Sequence, residues 1–321
     1  MNKRILATML LSLGMAQGVL ASEQDIMGLE DLVTQGRMTA EELRLEFSLK
    51  FKKDIYSADV LHDAARSGAV NALEWLLDSC NVDVNIQDKL GRTALHQAAS
   101  RGNIDAINTL LSRGAKINAR SDSGWTALFF VGGVHCDVVK VLVDAGADIN
   151  IQDKNGLTAL HKAVSNKDID LVKELLSNGA DVNTQDKNGE TALHDAVRGW
   201  NLDIVKELLS HDADVNLQNK DGETALHCAS RGSFDVVKEL LSNGADVDFQ
   251  DKKGKTALHN AARYWNLKTA IELLKNGADA NIQDNEGKMA FDRTSSSEMR
   301  RLIAKHMKQV GWKQWLKCYL I

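Results

Sequence analysis

Histidine is the residue type through which this chain would most readily do chemistry. The sequence contains nine histidines, and imidazole serves both as a metal ligand and as a general acid or base near neutral pH. Three of them, His135, His211 and His306, are scattered. The other six recur at near-constant intervals: His62, His96, His161, His194, His227 and His259. No His-Glu-x-x-His pair and no Gly-x-Ser-x-Gly segment accompanies them, so the pattern indicates neither a zinc peptidase nor a serine hydrolase.

The recurring histidines belong to a repeated four-residue segment. Thr-Ala-Leu-His begins at Thr93, Thr158, Thr191, Thr224 and Thr256, and variants begin at Asp59, Thr126 and Met289. The intervals between successive starts are 34, 33, 32, 33, 33, 32 and 33 residues. A period of this length is the signature of a fold in which one small unit is stacked many times.

Each repeat has the pattern of two short helices. Thr191 is a suitable N-cap, because its hydroxyl can accept a hydrogen bond from an amide of the first helical turn. Leu193 and Ala196 then share one helix face, a turn is predicted near Gly199, and residues 204–209 form the apolar part of a second helix. Most second helices end at a glycine, which suits the left-handed C-cap position: Gly114, Gly146, Gly179, Gly244 and Gly277.

A projecting turn is predicted between consecutive helix pairs. Asp186 and Gly189 stand at the first and fourth positions of Asp-Lys-Asn-Gly, the pattern of a type I turn. Glycine recurs at the equivalent place two residues before most repeat starts: Gly91, Gly124, Gly156, Gly189, Gly222, Gly254 and Gly287. The unit is therefore a projecting turn, a helix, a tight turn and a second helix.

This unit resembles the ankyrin repeat, whose mark is Thr-Pro-Leu-His-x-Ala at a 33-residue period. The resemblance covers residues 57–308, with alanine in place of the family's proline, and alanine is itself an excellent helix former. It implies an all-α solenoid of about eight helix–turn–helix units with projecting β-turn loops. It also implies a structural role for the six recurring histidines, each bridging neighbouring units through backbone hydrogen bonds.

The repeats divide the chain into four segments. We predict a signal peptide over residues 1–21, an N-terminal helical cap over 22–56, repeats over 57–308 and a basic, aromatic tail over 309–321. The approximate repeat bounds are 57–88, 90–119, 123–152, 155–184, 188–217, 221–249, 253–282 and, for a degenerate capping unit, 286–308.

The first residues are typical of an export signal. Lys3 and Arg4 form a basic start, residues 5–13 an almost unbroken apolar run, and Val19 and Ala21 place small residues before a cleavage point after Ala21. An uncleaved membrane anchor is the alternative, although a bilayer requires about 20 apolar residues. We therefore expect an exported protein, either periplasmic or secreted.

The segments that flank the repeats leave alternatives open. Thr39 and Glu42 have the spacing of a capping box, which favours a helix within residues 22–56, yet apolar residues between positions 43 and 51 alternate as in a strand. From Arg300 onward the chain has six basic residues and no acidic one. This tail is predicted either to lie on an anionic membrane surface or to pack on the last repeat as a cap.

Nothing in the pattern indicates catalysis. Neither flanking segment is large enough for a catalytic domain of about 100 residues. The glycines serve turns rather than a phosphate-binding loop. The four cysteines have no Cys-x-x-Cys spacing, which favours free thiols, with a disulfide between two of them in an exported protein as the alternative. We therefore predict no enzyme activity, no cofactor and no metal. The formal net charge of −5 argues against general nucleic-acid binding.

A partner protein is then the expected ligand. In the family that the chain resembles, partners bind the concave side, formed by the projecting turns and the ends of the first helices. Each turn also holds an acid such as Asp153 or Asp186, so a merely solvated surface is the alternative. Arg, Trp and Tyr are enriched at the hot spots of protein interfaces. The concave positions and the adjoining turns carry basic, aromatic or apolar residues: Lys89, Arg101, Trp125, Lys154, Leu157, Lys187, Arg198, Trp200, Lys220, Arg231, Lys252, Arg263, Tyr264 and Trp265. We predict a secreted effector or periplasmic adaptor that binds a partner here, with a membrane-associated scaffold anchored by the 309–321 tail as the alternative.

Overall fold

The computed structural model describes residues 58–307. Within that range the regular elements are helices, and the sole strand-like pairing is one antiparallel bridge between Gln283 and Met289. The predicted all-α repeat class is thereby confirmed. The predicted signal peptide, N-terminal cap and 309–321 tail lie outside the described residues. Along the described chain, no helix combines the length and the apolar character needed to cross a bilayer.

Most repeats contain a pair of helices joined by a short turn, and fourteen α-helices are described between residues 58 and 307. In chain order they are α1 (Ala58–Ser67), α2 (Val70–Glu74, continued by a π-helical turn over Trp75–Ser79), α3 (Ala94–Ser100), α4 (Ile104–Ser112), α5 (Asp137–Asp144), α6 (Ala159–Ser165), α7 (Ile169–Ser177), α8 (Ala192–Arg198), α9 (Leu202–Ser210), α10 (Ala225–Ala229), α11 (Phe234–Ser242), α12 (Ala257–Arg263), α13 (Leu267–Lys275) and α14 (Ser297–Ala304).

The described chain falls into two compact units. Unit 1 runs to Lys154 and includes Ser177–Gly179, and unit 2 comprises Asn155–Leu176 and the residues from Ala180 onward. Unit 1 holds the pairs α1–α2 and α3–α4 and helix α5, whereas unit 2 holds the helices from α6 to α14 apart from the last residue of α7. Each unit has its own apolar interior, built around side chains such as Leu95 in unit 1 and Leu193 in unit 2.

The first helix of a repeat begins at the predicted threonine. Thr191 has extended backbone angles, and its hydroxyl accepts a hydrogen bond from the amide of His194 at 3.5 Å. In return, Nδ1 of His194 accepts the Thr191 amide at 3.2 Å. The histidine thus takes the place of the Glu or Gln that usually completes a capping box, and two amides at the start of α8 are satisfied.

The second helix supplies much of the interior. Ile204, Val205 and Leu208 of α9 are buried, while Leu209, predicted on the same face, is half-buried. Burying each such side chain contributes roughly 1.5–3 kcal/mol. The helices end in left-handed residues, as the glycine pattern predicts: φ is between 84° and 92° at Gly114, Gly146, Gly179, Gly244 and Gly277, and Asp212 takes the same position with φ 61°.

The turn between the two helices of a repeat lies near Gly199, as predicted. Gly199 keeps a right-handed φ of −75°, and it is Trp200 that adopts the left-handed φ of 54°. The Trp200 amide donates to the carbonyl of Val197 at 3.1 Å, and the Asn201 amide donates to that of Ala196 at 3.2 Å. These are the bonds that close a helix around a left-handed residue, so the tryptophan takes the conformation that glycine usually supplies.

The projecting turns are linked to one another by backbone hydrogen bonds. The Gly189 amide donates to the Asp186 carbonyl at 2.9 Å, and the Asn188 carbonyl accepts the amide of Lys220 from the next turn at 2.8 Å. A Cβ on Gly189 would lie 2.9 Å from that Lys220 nitrogen. Glycine is therefore required here both for its φ of 75° and for the close approach of the neighbouring turn.

The repeat that begins at Thr126 is irregular. We predicted a complete unit over residues 123–152, but the first helix is reduced to a 3₁₀ turn over Ala127–Phe130, followed by a second one over Gly133–His135. Two glycines in succession at 132 and 133 weaken the helix. In the degenerate last repeat the first helix is likewise reduced to a 3₁₀ turn, over Ala290–Arg293.

Candidate partner-binding face

The recurring histidines tie one repeat to the next. Because Nδ1 of His194 accepts an amide hydrogen, the ring proton must sit on Nε2. Nε2 then donates to the carbonyl of Glu223, 3.1 Å away in the following repeat. The five equivalent contacts join His62 to Ile86, His96 to Trp125, His161 to Glu190, His227 to Lys255 and His259 to Lys288, at 2.9–3.3 Å.

Burial holds these imidazoles in the neutral form. Desolvation is the largest influence, and it lowers the pKa of five of them: His62, His96, His194, His227 and His259. A neutral ring whose two nitrogens are both hydrogen-bonded to the backbone offers no lone pair to a metal or a substrate. Where this geometry holds, the histidines stabilise the stacking of repeats rather than perform chemistry.

Two of the predicted arginines are already paired within the chain. Arg198, at the end of α8, forms an ion pair with Glu190, and Arg231, after α10, forms the equivalent pair with Glu223. Asn219 adds a further hydrogen bond to the Glu190 carboxylate at 2.7 Å. The carboxylates offset the charge of both arginines, so these two side chains contribute less positive potential than the sequence pattern suggests.

A partly buried acid and a buried thiol accompany these ion pairs. Burial raises the pKa of Asp195 to about 6, although Arg198 acts in the opposite direction. Burial likewise raises the pKa of Cys228 to about 11. Since the thiolate is the reactive form of cysteine, this thiol is unreactive near neutral pH.

Basic side chains without an ion-pair partner among the described residues lie in the next repeat, whose Thr-Ala-Leu-His segment begins at Thr256. There a lysine, Lys255, stands where the two preceding repeats have Glu190 and Glu223. Arg263, at the end of α12, forms no ion pair with any described residue, and its guanidinium lies 6.0 Å from the centre of the Tyr264 ring. Lys252 and Lys253, on the adjoining turn, are exposed and also unpaired among residues 58–307.

Large apolar side chains are exposed at the same ends of the helices. Trp200 and Trp265 are each 65% exposed, and Tyr264 is 50% exposed. Both tryptophans are also left-handed, with φ of 54° and 60°. That conformation costs a residue with a Cβ about 1–2 kcal/mol, and the equivalent positions in unit 1 are Gly68 and Gly102. The chain thus places bulky apolar rings in solvent at sites where glycine would be more favourable.

Glycine in the next repeat makes room for one of these side chains. The Trp200 ring lies 2.8 Å from the point that a Cβ on Gly232 would occupy. Gly232 is not itself left-handed, so its function is to provide space rather than an unusual φ. Lys167, the equivalent left-handed residue of the preceding repeat, extends in the same way to 3.7 Å from the Cβ position of Gly199.

A family model for ankyrin repeats matches the chain three times, over residues 61–153, 130–219 and 199–284. Together these matches cover more than half of the sequence. The chain belongs to the ankyrin repeat family. The expectation drawn from the threonine and histidine spacing is confirmed at the level of the family.

Several curated ankyrin proteins are similar over part of the chain. The Notch-regulated ankyrin repeat-containing protein of Xenopus tropicalis is 36% identical over 84 residues, which is 25% of this chain and 74% of that protein. The inhibitor of Bruton tyrosine kinase of Xenopus laevis is 36% identical over 80 residues, and a homolog of transient receptor potential channel subfamily A member 1 from Caenorhabditis elegans is 44% identical over 69 residues. These stretches are 25% and 22% of this chain, and each spans 6% of the respective relative.

Within the ankyrin framework, Trp125 is engaged internally, in addition to Arg198 and Arg231. Trp125 stacks on Phe129 with ring centres 6.0 Å apart, and its indole N–H donates to Asp153 at 3.0 Å. We predicted Trp125 as an apolar contact point at the last position of its turn, and the half-buried ring packs against the irregular Thr126 repeat. Leu157 is half-buried.

The remaining predicted residues are distributed over both units. Exposed positions in unit 1 are Lys89, Arg101 and Lys154, and those in unit 2 are Lys187, Arg198, Trp200, Lys220, Lys252, Arg263, Tyr264 and Trp265, with Arg231 half-buried. The sequence interpretation did not include Val134 and Leu90 of unit 1, which are 92% and 57% exposed. The glycines that flank Val134 on its N-terminal side were the only available signal.

Proposed function

We propose that this ankyrin protein acts by binding a partner protein, and that the exposed part of unit 2 around the ends of α8, α10 and α12 forms the contact surface. The observation that carries the proposal is the exposure of Trp200, Tyr264 and Trp265, together with the guanidinium of Arg263 beside the Tyr264 ring. Aromatic residues and arginine dominate the energetics of protein interfaces. A surface that contacts only solvent would not require two bulky residues in the left-handed backbone conformation.

The surroundings favour an acidic or mixed-charge partner segment. The tips of the successive projecting turns in unit 2 carry Lys187, Lys220 and Lys252, all exposed. None of these lysines forms an ion pair with a described residue. Exposed charges of one sign steer an oppositely charged partner and accelerate association at low salt. One matched relative, the inhibitor of Bruton tyrosine kinase, has a name that describes action on another protein, which is consistent with this function.

Site-specific photocrosslinking tests the proposal. A photoreactive residue in place of Tyr264 is expected to capture a polypeptide in the native cell, and the same residue in place of exposed Lys206 on α9 serves as the control. Simultaneous charge reversal at Lys252, Lys255 and Arg263 should then reduce capture, whereas reversal at the outward-facing Lys206 and Lys238 should not. The proposal is contradicted if the photoreactive residue captures as much polypeptide at position 206 as at position 264. It is also contradicted if the triple charge reversal leaves the amount captured unchanged.

We further propose that the partner is met after export, as a secreted effector or a periplasmic adaptor would meet it. Support comes from the basic start, the apolar run and the small residues within positions 1–21. Fusing these residues to a reporter enzyme that is active only outside the cytoplasm tests this, since an inactive fusion contradicts export.

The alternative, a scaffold held at a membrane by residues 309–321, has its own test. The basic and aromatic composition of that tail supports it. If the full chain and a chain lacking 309–321 float equally with anionic liposomes, the membrane role is wrong.

A further inference from the structure

We infer that Trp200 and Trp265 are paired anchors for one extended, acidic segment of the partner, whose apolar side chains contact the two indole rings. This inference rests on the proposed function and specifies the partner chemistry of the same surface. It is carried by the backbone conformation of the two residues, the space beside them, their separation and the charge around them.

The backbone conformation of Trp200 and Trp265 is unfavourable for a residue with a side chain, which indicates that the two indole rings have a function. Both tryptophans are left-handed, at the position where Gly68 and Gly102 stand in other repeats. Neither indole N–H bonds to a described residue, and both side chains are 65% exposed. Backbone strain combined with apolar exposure is disfavoured in the free protein, and it recurs at sites that bind ligands.

A glycine in the next repeat makes room for the Trp200 ring. The Trp200 ring lies along the surface against Gly232, and the side chain of any larger residue there would meet it. Gly232 belongs to the repeat that separates the Trp200 repeat from the Trp265 repeat. The Trp200 ring therefore covers the backbone of Gly232 and forms the start of the surface between the two anchors, where an extended peptide can contact it.

The separation of the anchors determines the spacing of the ligand. Packed helices lie about 8–10 Å apart, so two anchors that are two repeats apart are separated by about 20 Å. An extended chain rises roughly 3.3 Å per residue, and residues an even number apart point to the same side. Two apolar side chains about six residues apart thus face both rings at once.

The charge around the anchors selects the ligand class. Near Trp265, Arg263 and Lys255 form no ion pair with an acid among residues 58–307, so carboxylates of a ligand are favoured there. Near Trp200, Glu190 and Asp195 accompany Arg198. A single-stranded nucleic acid carries a phosphate on every nucleotide, so some of its phosphates would lie beside these carboxylates and be repelled. An acidic peptide can instead have its carboxylates only at the Trp265 end. A peptide is therefore favoured over single-stranded nucleic acid.

Fluorescence anisotropy with a defined probe tests the inference. The probe is a labelled dodecapeptide with leucine at its third and ninth positions, aspartate and glutamate at the other positions of one half and serine at the other positions of the other half, and the protein is the full chain. We expect measurable binding, and we expect Trp200→Gly and Trp265→Gly each to weaken it on the order of tenfold or more, the size expected for the loss of a hot spot. Glycine is the residue of the equivalent positions in unit 1, so neither change should impair folding. Lys167→Gly is the matched control, since it alters the same left-handed position without removing an anchor, and it should leave affinity unchanged.

Three results overturn the inference: no binding of the leucine peptide, equal binding of the same peptide with serine in place of both leucines, or tighter binding of an oligothymidine of similar length. If the crosslinked polypeptide is still captured by the Trp200→Gly and Trp265→Gly variants, the anchor role is wrong while the partner-binding function stands. If the anchors bind the probe but no polypeptide is captured in the cell, the proposed function fails and the peptide chemistry is retained.

Discussion

The indole ring of Trp200 lies against Gly232, 2.8 Å from the place where a side chain at 232 would begin. The two residues belong to successive repeats, so the position of an exposed ring in one repeat depends on the absence of a side chain in the next. Because Gly232 is not left-handed, alanine fits the backbone there and only the ring has to move.

We therefore expect Gly232→Ala to displace the Trp200 ring without reducing stability. Replacing a glycine whose φ suits any residue reduces the entropy of the unfolded chain and typically stabilises by about 0.4–1 kcal/mol. The indole N–H resonance of Trp200, assigned by its loss in Trp200→Gly, should shift, and partner affinity should fall. Gly199→Ala is the matched control, since its Cβ would lie 3.7 Å from Lys167, an ordinary contact. An unshifted resonance in Gly232→Ala contradicts this account.

A second prediction concerns the irregular repeat. The hydroxyl of Thr126 is buried without a hydrogen-bond partner, because Phe129 stands where six of the other repeats place a histidine. Replacing it by the isosteric valine removes a polar group that bonds nothing, so Thr126→Val should be neutral or slightly stabilising. Thr191→Val instead removes the cap of α8 and should cost about 1–2 kcal/mol. Urea unfolding of the two variants compares them directly, and equal losses of stability would show that the caps are not what distinguishes these repeats.

The regular repeats were predictable because they depend on local signals. Threonine and histidine three residues apart specify a helix start, and glycine specifies a helix end, so these signals located α6 and α7. The Thr126 repeat was predicted as complete because its spacing is normal. The physical signals against it, Phe129 in place of histidine and the paired Gly132 and Gly133, are weak beside the constant period.

The charge of the candidate site was harder to predict. Glu190 and Arg198 are eight residues apart, with a helix cap between them, and side chains on one helix meet at spacings of three or four. Only the folded turn brings them together. The left-handed conformation of Trp200 was missed for a related reason, because the adjacent Gly199 is the residue that would normally adopt it.

A third prediction concerns a ladder of side chains beneath the turns. Asn216 accepts the Asp246 amide at 2.8 Å and donates its NH₂ to the Gly244 carbonyl at 3.2 Å. One repeat later, Asp248 accepts the equivalent amide from Asp279 at 2.9 Å, but a carboxylate has no hydrogen to donate further. Asp248→Asn should restore the missing bond and stabilise by about 0.5–1 kcal/mol.

The pH dependence of this gain provides its check. Burial is the largest influence that raises the pKa of Asp248, and the charges of Asp279 and Asp246 add to it. A raised carboxyl pKa means that the ionised form destabilises the fold, fully above the folded pKa and not at all below the unfolded one. The gain from Asp248→Asn should therefore be largest at neutral pH and smaller at pH 3.5, and Asn216→Asp should show the opposite sign. A gain that is constant with pH points to a cause other than this ionisation.

The final prediction concerns the loss of thermal stability at acidic pH. Burial lowers the pKa of five of the bridging histidines, so each favours the folded state in its neutral form. A lowered histidine pKa gives stability that is complete above the unfolded value of about 6.5 and is lost as the pH falls below it, up to about 1.4 kcal/mol per pH unit for each ring. Asp195 and Asp248 act the other way, because the pKa of Asp195 is raised to about 6 and that of Asp248 is also raised, but two carboxyls cannot offset five imidazoles. We expect a clearly lower Tm at pH 5.5 than at pH 7.5, measured by circular dichroism.

In His227→Gln the side chain can still cap the helix and does not titrate, so the Tm should depend less steeply on pH than in the native chain. A Tm that rises on acidification, or a His227→Gln variant as acid-sensitive as the native chain, would show that the bridging histidines do not determine the acid stability of the repeats.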